Sequence, residues 1–257
     1  LIHSDTVEDD IVFIDSSPSG HLITQGNDTY HKNGQGKFGA TGIKFDGTGD
    51  YLQITDHADF SFGAGDFTVD FWFKFATSTN DWITFLQFDN PEALLIGYHD
   101  VAANGLTVDI NGSNSYYTSN KLVSDTNWHH FATARYGNTL FIFLDGEIIH
   151  TGSISVTLND PTVIRLAEGF SGWNNNFNGY MDEFRISKGI ARWTSSFTPP
   201  TRPYATVNDE YFADQDKIST LGFGTPLLRE GALDGVCYDF NGSADYISTP
   251  FSLPTEN

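Results

Sequence analysis

Carboxylates dominate the reactive side chains of this chain: 33 Asp and Glu stand against 13 Lys and Arg, for a net charge of -20. Acid-base cleavage of a glycosidic bond needs two carboxyl groups flanking that bond. The glutamates, at positions 8, 92, 147, 168, 183, 210, 230 and 256, are scattered singly, so no local pair exists and catalysis is not expected. Aspartates brought together from different strands are the remaining route to it. No Gly-x-Ser-x-Gly elbow occurs, and the single cysteine, Cys237, has no motif around it. His129 and His130 are neighbours; in a strand their side chains point to opposite faces, so they cannot hold one ion between them without other ligands.

Binding chemistry is better represented. In Asp15-Ser16-Ser17-Pro18-Ser19-Gly20-His21 a carboxylate leads a tight turn rich in backbone carbonyls. Hard oxygen donors of this kind suit Ca²⁺, although Asp15 capping its own turn explains the same residues. A sugar needs exposed aromatic faces beside amide and carboxylate groups, because its C–H face stacks on rings while its hydroxyls bond fixed polar partners. The run EGFSGWNNNFNGY supplies Trp173, Asn174, Asn175 and Asn176. Tyr98, Tyr116 and Tyr117 are further ring candidates, with packing in a core as the competing role.

Composition bounds the partners. With 39% hydrophobic and 15% aromatic residues, including 22 Phe and 11 Tyr, the chain of 257 residues is expected to fold around a large core. The acidic excess repels phosphate backbones and anionic lipid, so nucleic acid is not an expected partner. One cysteine allows no intrachain disulfide and no thiolate metal cluster. No apolar run reaches the roughly 18 residues that span a bilayer, so membrane insertion is not expected either. The chain opens at Leu1 without an initiator methionine, which leaves open a lost leader or upstream domain.

The elements that must position these groups are strands. In GDFTVDFWFKF the residues Phe67, Val69, Phe71, Phe73 and Phe75 alternate with Thr68, Asp70, Trp72 and Lys74, the two-residue period of a strand with one face in a core. Further short apolar runs predict strands at Ile11–Ile14, Ile43–Phe45, Tyr51–Ile54, Ile83–Phe88, Leu94–Tyr98, Leu106–Ile110, Trp128–Arg135, Thr139–Leu144, Glu147–Thr151, Val163–Leu166 and Tyr180–Ile186. Turns at Tyr136-Gly137-Asn138 and Asp145-Gly146 make a meander of three of them. SKGIARWTSSFTPPTRPY predicts one short helical turn and then a proline-rich exit at Pro199, Pro200 and Pro203, placing a domain boundary near Tyr204. Beyond it, Phe240–Ile247 repeats Phe45–Leu52 with Phe, Gly, Asp and Tyr identical. Residues 205–257 therefore read as a linker and the opening strands of a second, incomplete unit. Such strands must pack on the first domain or on a neighbouring chain.

KFGATGIKFDGTGDYLQI, FGAGDFTVDFWFK, WHHFATARYGNTLFIFLDGEII and FNGYMDEFRISKGIARWTSSFTPP together resemble the concanavalin A-like, laminin G-like lectin domain family over residues 1–204. The resemblance implies an all-β jelly-roll sandwich of two antiparallel sheets. It also implies that Asp182, in YMDEFRIS, reaches a structural Ca²⁺ in company with the Asp15 turn. The DEFRISKGIARWTSSFTPP ending is most similar to copies in phage and marine-microbe structural proteins, often in tandem. The expected role is thus a non-catalytic structural or adhesive module of a virus particle or microbial surface, with neighbouring subunits and glycans as partners. A dedicated carbohydrate-binding lectin is the second reading and a glycoside hydrolase the third, since one fold hosts many functions.

Overall fold

The computed structural model describes residues 1–77, 82–89, 92–100, 105–112, 115–169 and 176–204, together with the backbone of Leu227–Arg229 and Cys237–Asp239. The chain divides into two compact units, Leu1–Val207 and Asn208–Asn257. In the first, the strands in chain order are β1 (Ile23–Gly26), β2 (Tyr30–Asn33), β3 (Thr41–Asp46), β4 (Tyr51–Thr55), β5 (Phe67–Phe75), β6 (Trp82–Phe88) and β7 (Leu94–His99). They continue as β8 (Gly105–Ile110), β9 (Ser115–Thr118), β10 (His129–Tyr136), β11 (Thr139–Leu144), β12 (Glu147–Ser153), β13 (Val163–Leu166) and β14 (Asn178–Lys188). One sheet has the order β1-β4-β13-β6-β7-β8-β9 and the other β12-β11-β10-β5-β14-β3-β2, all paired antiparallel. In the second unit, β15 (Leu227–Arg229) pairs antiparallel with β16 (Cys237–Asp239); the repeat at Phe240–Ile247 lies outside the described residues.

The two seven-stranded sheets face each other as in a sandwich. Phe71 of β5 meets Phe85 of β6 across the core at 5.6 Å between ring centroids, and touches Phe131 and Phe184 of its own sheet at 5.2 and 5.7 Å. Alternation thus does what the sequence requires, sending Phe67, Val69, Phe71, Phe73 and Phe75 inward. Asp145 and Gly146 hold φ of 51° and 80°, the positive values of a two-residue hairpin turn joining β11 to β12.

Four expectations need correction. Ile11–Ile14 is not a strand: Ile14 makes one isolated bridge to Leu22, and Ile11, Val12 and Ile14 are exposed while only Phe13 is buried, stacked on His31 at 4.4 Å. Three short strands went unexpected, β1, β2 and β9, because polar residues such as Gln25, His31 and Lys32 interrupt the apolar pattern. The helical turn expected after Ser187 is also missing; residues 189–204 run as an irregular strap. Finally, β5 is buried on both faces, not one.

Strap and second face explain each other. Thr68 Oγ1 donates to Ile190 O and accepts from Arg192 N, and Phe197 N donates to Gly146 O, bonds that replace those of a helix. Trp193 and Phe197 stack at 3.9 Å over Ala132, Ala134 and Phe143. Beneath the end of the strap Asp70, fully buried, takes two bonds from Arg185, Nε at 3.1 Å and Nη2 at 3.0 Å. The Tyr204 hydroxyl also donates to Asp70 and accepts from His130 Nε2 at 2.9 Å, while its ring lies 3.8 Å below the Arg185 guanidinium. A buried charge is tolerable only with such partners. Arg185 reaches Asp70 because a β-bulge shifts the β14–β5 register between Asp182 and Arg185, with Glu183 at φ 54°.

Candidate functional site

The half of the outer sheet face not tied to the strap carries a row of side chains at right angles to the strands. Tyr30 of β2 pairs with Lys44 of β3, Lys44 with Tyr180 of β14, and Tyr180 with Lys74 of β5. His129 pairs with Phe73, so Trp128, one residue before β10, continues the row. Rings and ammonium groups alternate because each strand contributes its polar-phase residue at one level of the pleat. All five side chains are half-buried. Lys74 Nζ lies 4.8 Å from the Tyr180 ring centroid and 5.4 Å from that of Trp128, and Lys44 Nζ lies 5.6 Å from Tyr180, within cation–π range. Next to the row Lys37 sits 3.7 Å over the Trp72 ring, and the buried Trp72 Nε1 has no acceptor among the described residues.

Burial holds the Lys37, Lys44 and Lys74 ammonium groups below their ordinary pKa. Carboxylates at a distance oppose this, Asp145 for Lys37 and Asp46, Asp50 and Asp28 for Lys44, whereas desolvation stands alone for Lys74. Rigid rings at fixed spacing with donors between them are a surface on which saccharide units can stack and bond.

Of the residues singled out from sequence, Trp173, Asn174 and Asn175 lie outside the described residues, as does the side chain of Tyr116, whose backbone pairs with Asp109 on β9. Asn176 bridges to Thr84 of the other sheet, and its buried Oδ1 has no partner among the described residues. Tyr98 is a correction: it is fully buried, its hydroxyl donating to Val123 O at 3.0 Å, so it has no face for a ligand. It occupies an inward position of β7, where ring area is worth more in the core than at the surface. Tyr117 is buried too, bonded to Ser153 O. The row was missed because its members come from five separate segments; the only local hint was Trp72 and Lys74 on the polar phase of β5.

The two carboxylates expected at an ion are each occupied by hydrogen-bond donors. Asp15 accepts from Ser17 N, Ser17 Oγ and His21 N. Asp182 accepts from the Lys37, Phe38 and Glu183 amides; burial and then the neighbouring Glu183 charge push its carboxyl up to about 7. Carboxylates cluster elsewhere, although Asp50 is likewise bonded, by Asp46 N, Asp28 N and Asn27 Nδ2. Asp28, Asp46 and Asp50 bring carboxylate oxygens within 4.8 Å of one another, a hard-oxygen set that fits Ca²⁺. Burial, and next the Asp46 charge, raise Asp50 to about 6, repulsion that a cation relieves. His21, His57 and Asp59 also cluster within 4.8 Å, beside a cavity of about 220 Å³ lined by Asp15, Ser19, His21, Asp59 and Phe60, among others. Asp59 is there bonded by Ser19 Oγ at 2.7 Å and His21 Nε2 at 3.0 Å.

Among the described residues no helix is long and apolar enough to cross a membrane. No curated protein matches the chain. Solved structures do. Domain 4 of AbnA, an extracellular GH43 arabinanase from Geobacillus stearothermophilus solved with arabinotriose, is 19% identical with a TM-score of 0.52, over 67% of this chain and 84% of that one. The binding domain of botulinum neurotoxin serotype D/C is 14% identical with a TM-score of 0.55, over 72% of this chain and 48% of that one. The binding domain of botulinum neurotoxin DC in complex with SialylT is 15% identical with a TM-score of 0.53, over 71% and 47%. The chain thus spans about half the length of the neurotoxin structures, and at these identities the likeness is one of fold. Residues 46–192, more than half of the chain, match the family model described as concanavalin A-like lectin/glucanases, and with two antiparallel seven-stranded sheets around one core the chain belongs to the concanavalin A-like lectin/glucanases superfamily.

Proposed function

We propose that the chain is a non-catalytic glycan-binding module serving as an adhesive or structural component of a virus particle or microbial surface. The observation that carries this reading is the row of half-exposed rings, Tyr30, Tyr180 and Trp128, on a rigid sheet. Solved neighbours of the same fold are described with arabinotriose and with SialylT, which supports a saccharide as ligand. On a glycan array the full chain is expected to be retained, and Tyr180→Ala or Trp128→Ala to weaken retention about tenfold, close to 1.4 kcal/mol, with an unchanged melting temperature. Loss in Trp173→Ala alone moves the site to the segment 173–176. Turnover of a polysaccharide overturns the non-catalytic part.

Assembly with neighbouring subunits rests on a separate observation: Val7, Ile11, Val12, Ile14 and Leu22 are between 55% and 75% exposed, apolar area that a partner would cover. A structural Ca²⁺ belongs to the same reading, with Asp28, Asp46 and Asp50 as the donor set that fits it. Millimolar calcium is expected to raise the melting temperature of EDTA-treated protein by a few degrees, and Asp50→Asn to abolish the rise. A melting curve indifferent to both reagents removes the ion.

A further inference from the structure

We infer that the Tyr30–Lys44–Tyr180–Lys74–Trp128 row takes an acidic saccharide, one carrying carboxylate or sulfate groups, an inference that rests on the glycan-binding reading above. Charge is the first argument. The chain has 33 Asp and Glu for 13 Lys and Arg, so three lysines gathered on one face stand out from an otherwise acidic surface. Lys32, at the edge of this sheet, is the one lysine among the described residues paired with a carboxylate, Glu8. Among the described residues neither Lys37 nor Lys44 nor Lys74 makes an ion pair; they lie over the rings of Trp72, Tyr180 and Trp128 instead. Lys74 bonds the neutral Gln35 side chain and Lys44 the carbonyl of Phe45, leaving each ammonium further N–H groups without an anionic partner.

Spacing is the second argument. The row crosses four strand-to-strand steps of about 4.8 Å, roughly 19 Å in all, and its two lysines stand two steps, about 10 Å, apart. That separation is comparable with the length of a disaccharide unit, so an extended chain with an acid on every second sugar meets both ammonium groups while its rings lie on Tyr30, Tyr180 and Trp128. A neutral saccharide would use the aromatic faces and leave two partly desolvated cations uncompensated, whereas an anion supplies charge-assisted bonds.

The two cations are not equal. Asp46, Asp50 and Asp28 already bear on Lys44, and among the described residues no carboxylate bears on Lys74. Lys74 therefore carries the larger part of the anion's attraction.

The test is calorimetric titration of the full chain with oligosaccharides of polygalacturonate, for carboxylate, and of heparin, for sulfate, against neutral arabinan and dextran oligosaccharides. Binding to at least one acidic series, tighter than to any neutral one, is expected. Lys74→Gln should weaken it at least about tenfold and more than Lys44→Gln, Lys74→Arg should largely restore it, and melting temperatures verify folding. Equal binding of neutral and acidic series, indifferent to both glutamine variants, overturns the inference and leaves the glycan-binding reading standing. Absence of binding to all four, with Lys74→Gln changing only the oligomeric state, assigns the face to an acidic protein surface and overturns both.

Discussion

Arg185→Leu is expected to lower the stability of the sandwich by about 3–5 kcal/mol, because it strips the bidentate partner from a carboxylate with no solvent contact. Asp70 is fully buried between β14, β10 and the strap. Burial by itself would raise its pKa, yet the Arg185 charge in first place, then His130, hold it far below the usual carboxylate range. Without Arg185 that charge must be kept unpaired or protonated, at a cost that is a large part of the 5–15 kcal/mol a domain commonly has. The loss should spread to the strap, since Tyr204 stacks on the same guanidinium and bonds the same carboxylate. Urea unfolding provides the measurement. A double variant, Asp70→Leu with Arg185→Leu, should recover part of the loss by removing both charges. A single variant within 1 kcal/mol of the parent would show that the pair does not hold the strap.

The second large effect is in pH: stability should fall as pH rises from 5 to 8. Asp182 is raised to about 7 and Asp50 to about 6, by burial first in each case. A carboxyl whose folded pKa exceeds its unfolded value near 3.9 binds more protons when folded, so its stabilisation is complete at acid pH and disappears as pH climbs through the folded value. His129, raised chiefly by its bond to Asp145, and His3, raised by Glu183 against burial, add in the same direction. Their stabilisation is present below pH 6.5 and lost above it. His31 and His150, lowered by burial, oppose it. Asp70 and Asp15, both held low, change only below about pH 4 and so are constant in this window. Asp182 dominates, at about 3 kcal/mol, equivalent to roughly 5–10 °C in melting temperature. Calorimetric scans in EDTA should show that decline, and Asp182→Asn should flatten it, since the amide cannot titrate. An equally steep decline in the variant would remove Asp182 as its source.

Much of this architecture is written locally. The alternation of Phe67, Val69, Phe71, Phe73 and Phe75 specifies a strand and its inward face whatever surrounds it, and Asp145-Gly146 specifies a hairpin because few other pairs tolerate two positive φ values. The all-β class, the meander of β10, β11 and β12, and the blocks resembling lectin-like domains all follow from such signals. Ile11–Ile14 shows where they mislead, since an apolar run at a surface has no partner strand to define it. The polar strands β1, β2 and β9 show the converse, edge or near-edge segments formed by pairing more than by composition.

What only the tertiary structure decided is register. The extra residue at Glu183 turns Arg185 toward Asp70 and the strap of residues 189–204 covers it there, while Lys37, Phe38 and His130 enclose Trp72, so that both are interior although the strand reads as half-exposed. The same holds for Tyr30, Lys44, Tyr180, Lys74 and Trp128, which are up to 150 positions apart and share a row only because five strands pair at particular residues. Alternation is a property of one segment, set by the pleat of its own backbone; register is a property of two, set by the bonds between them, and a single segment read alone does not contain it.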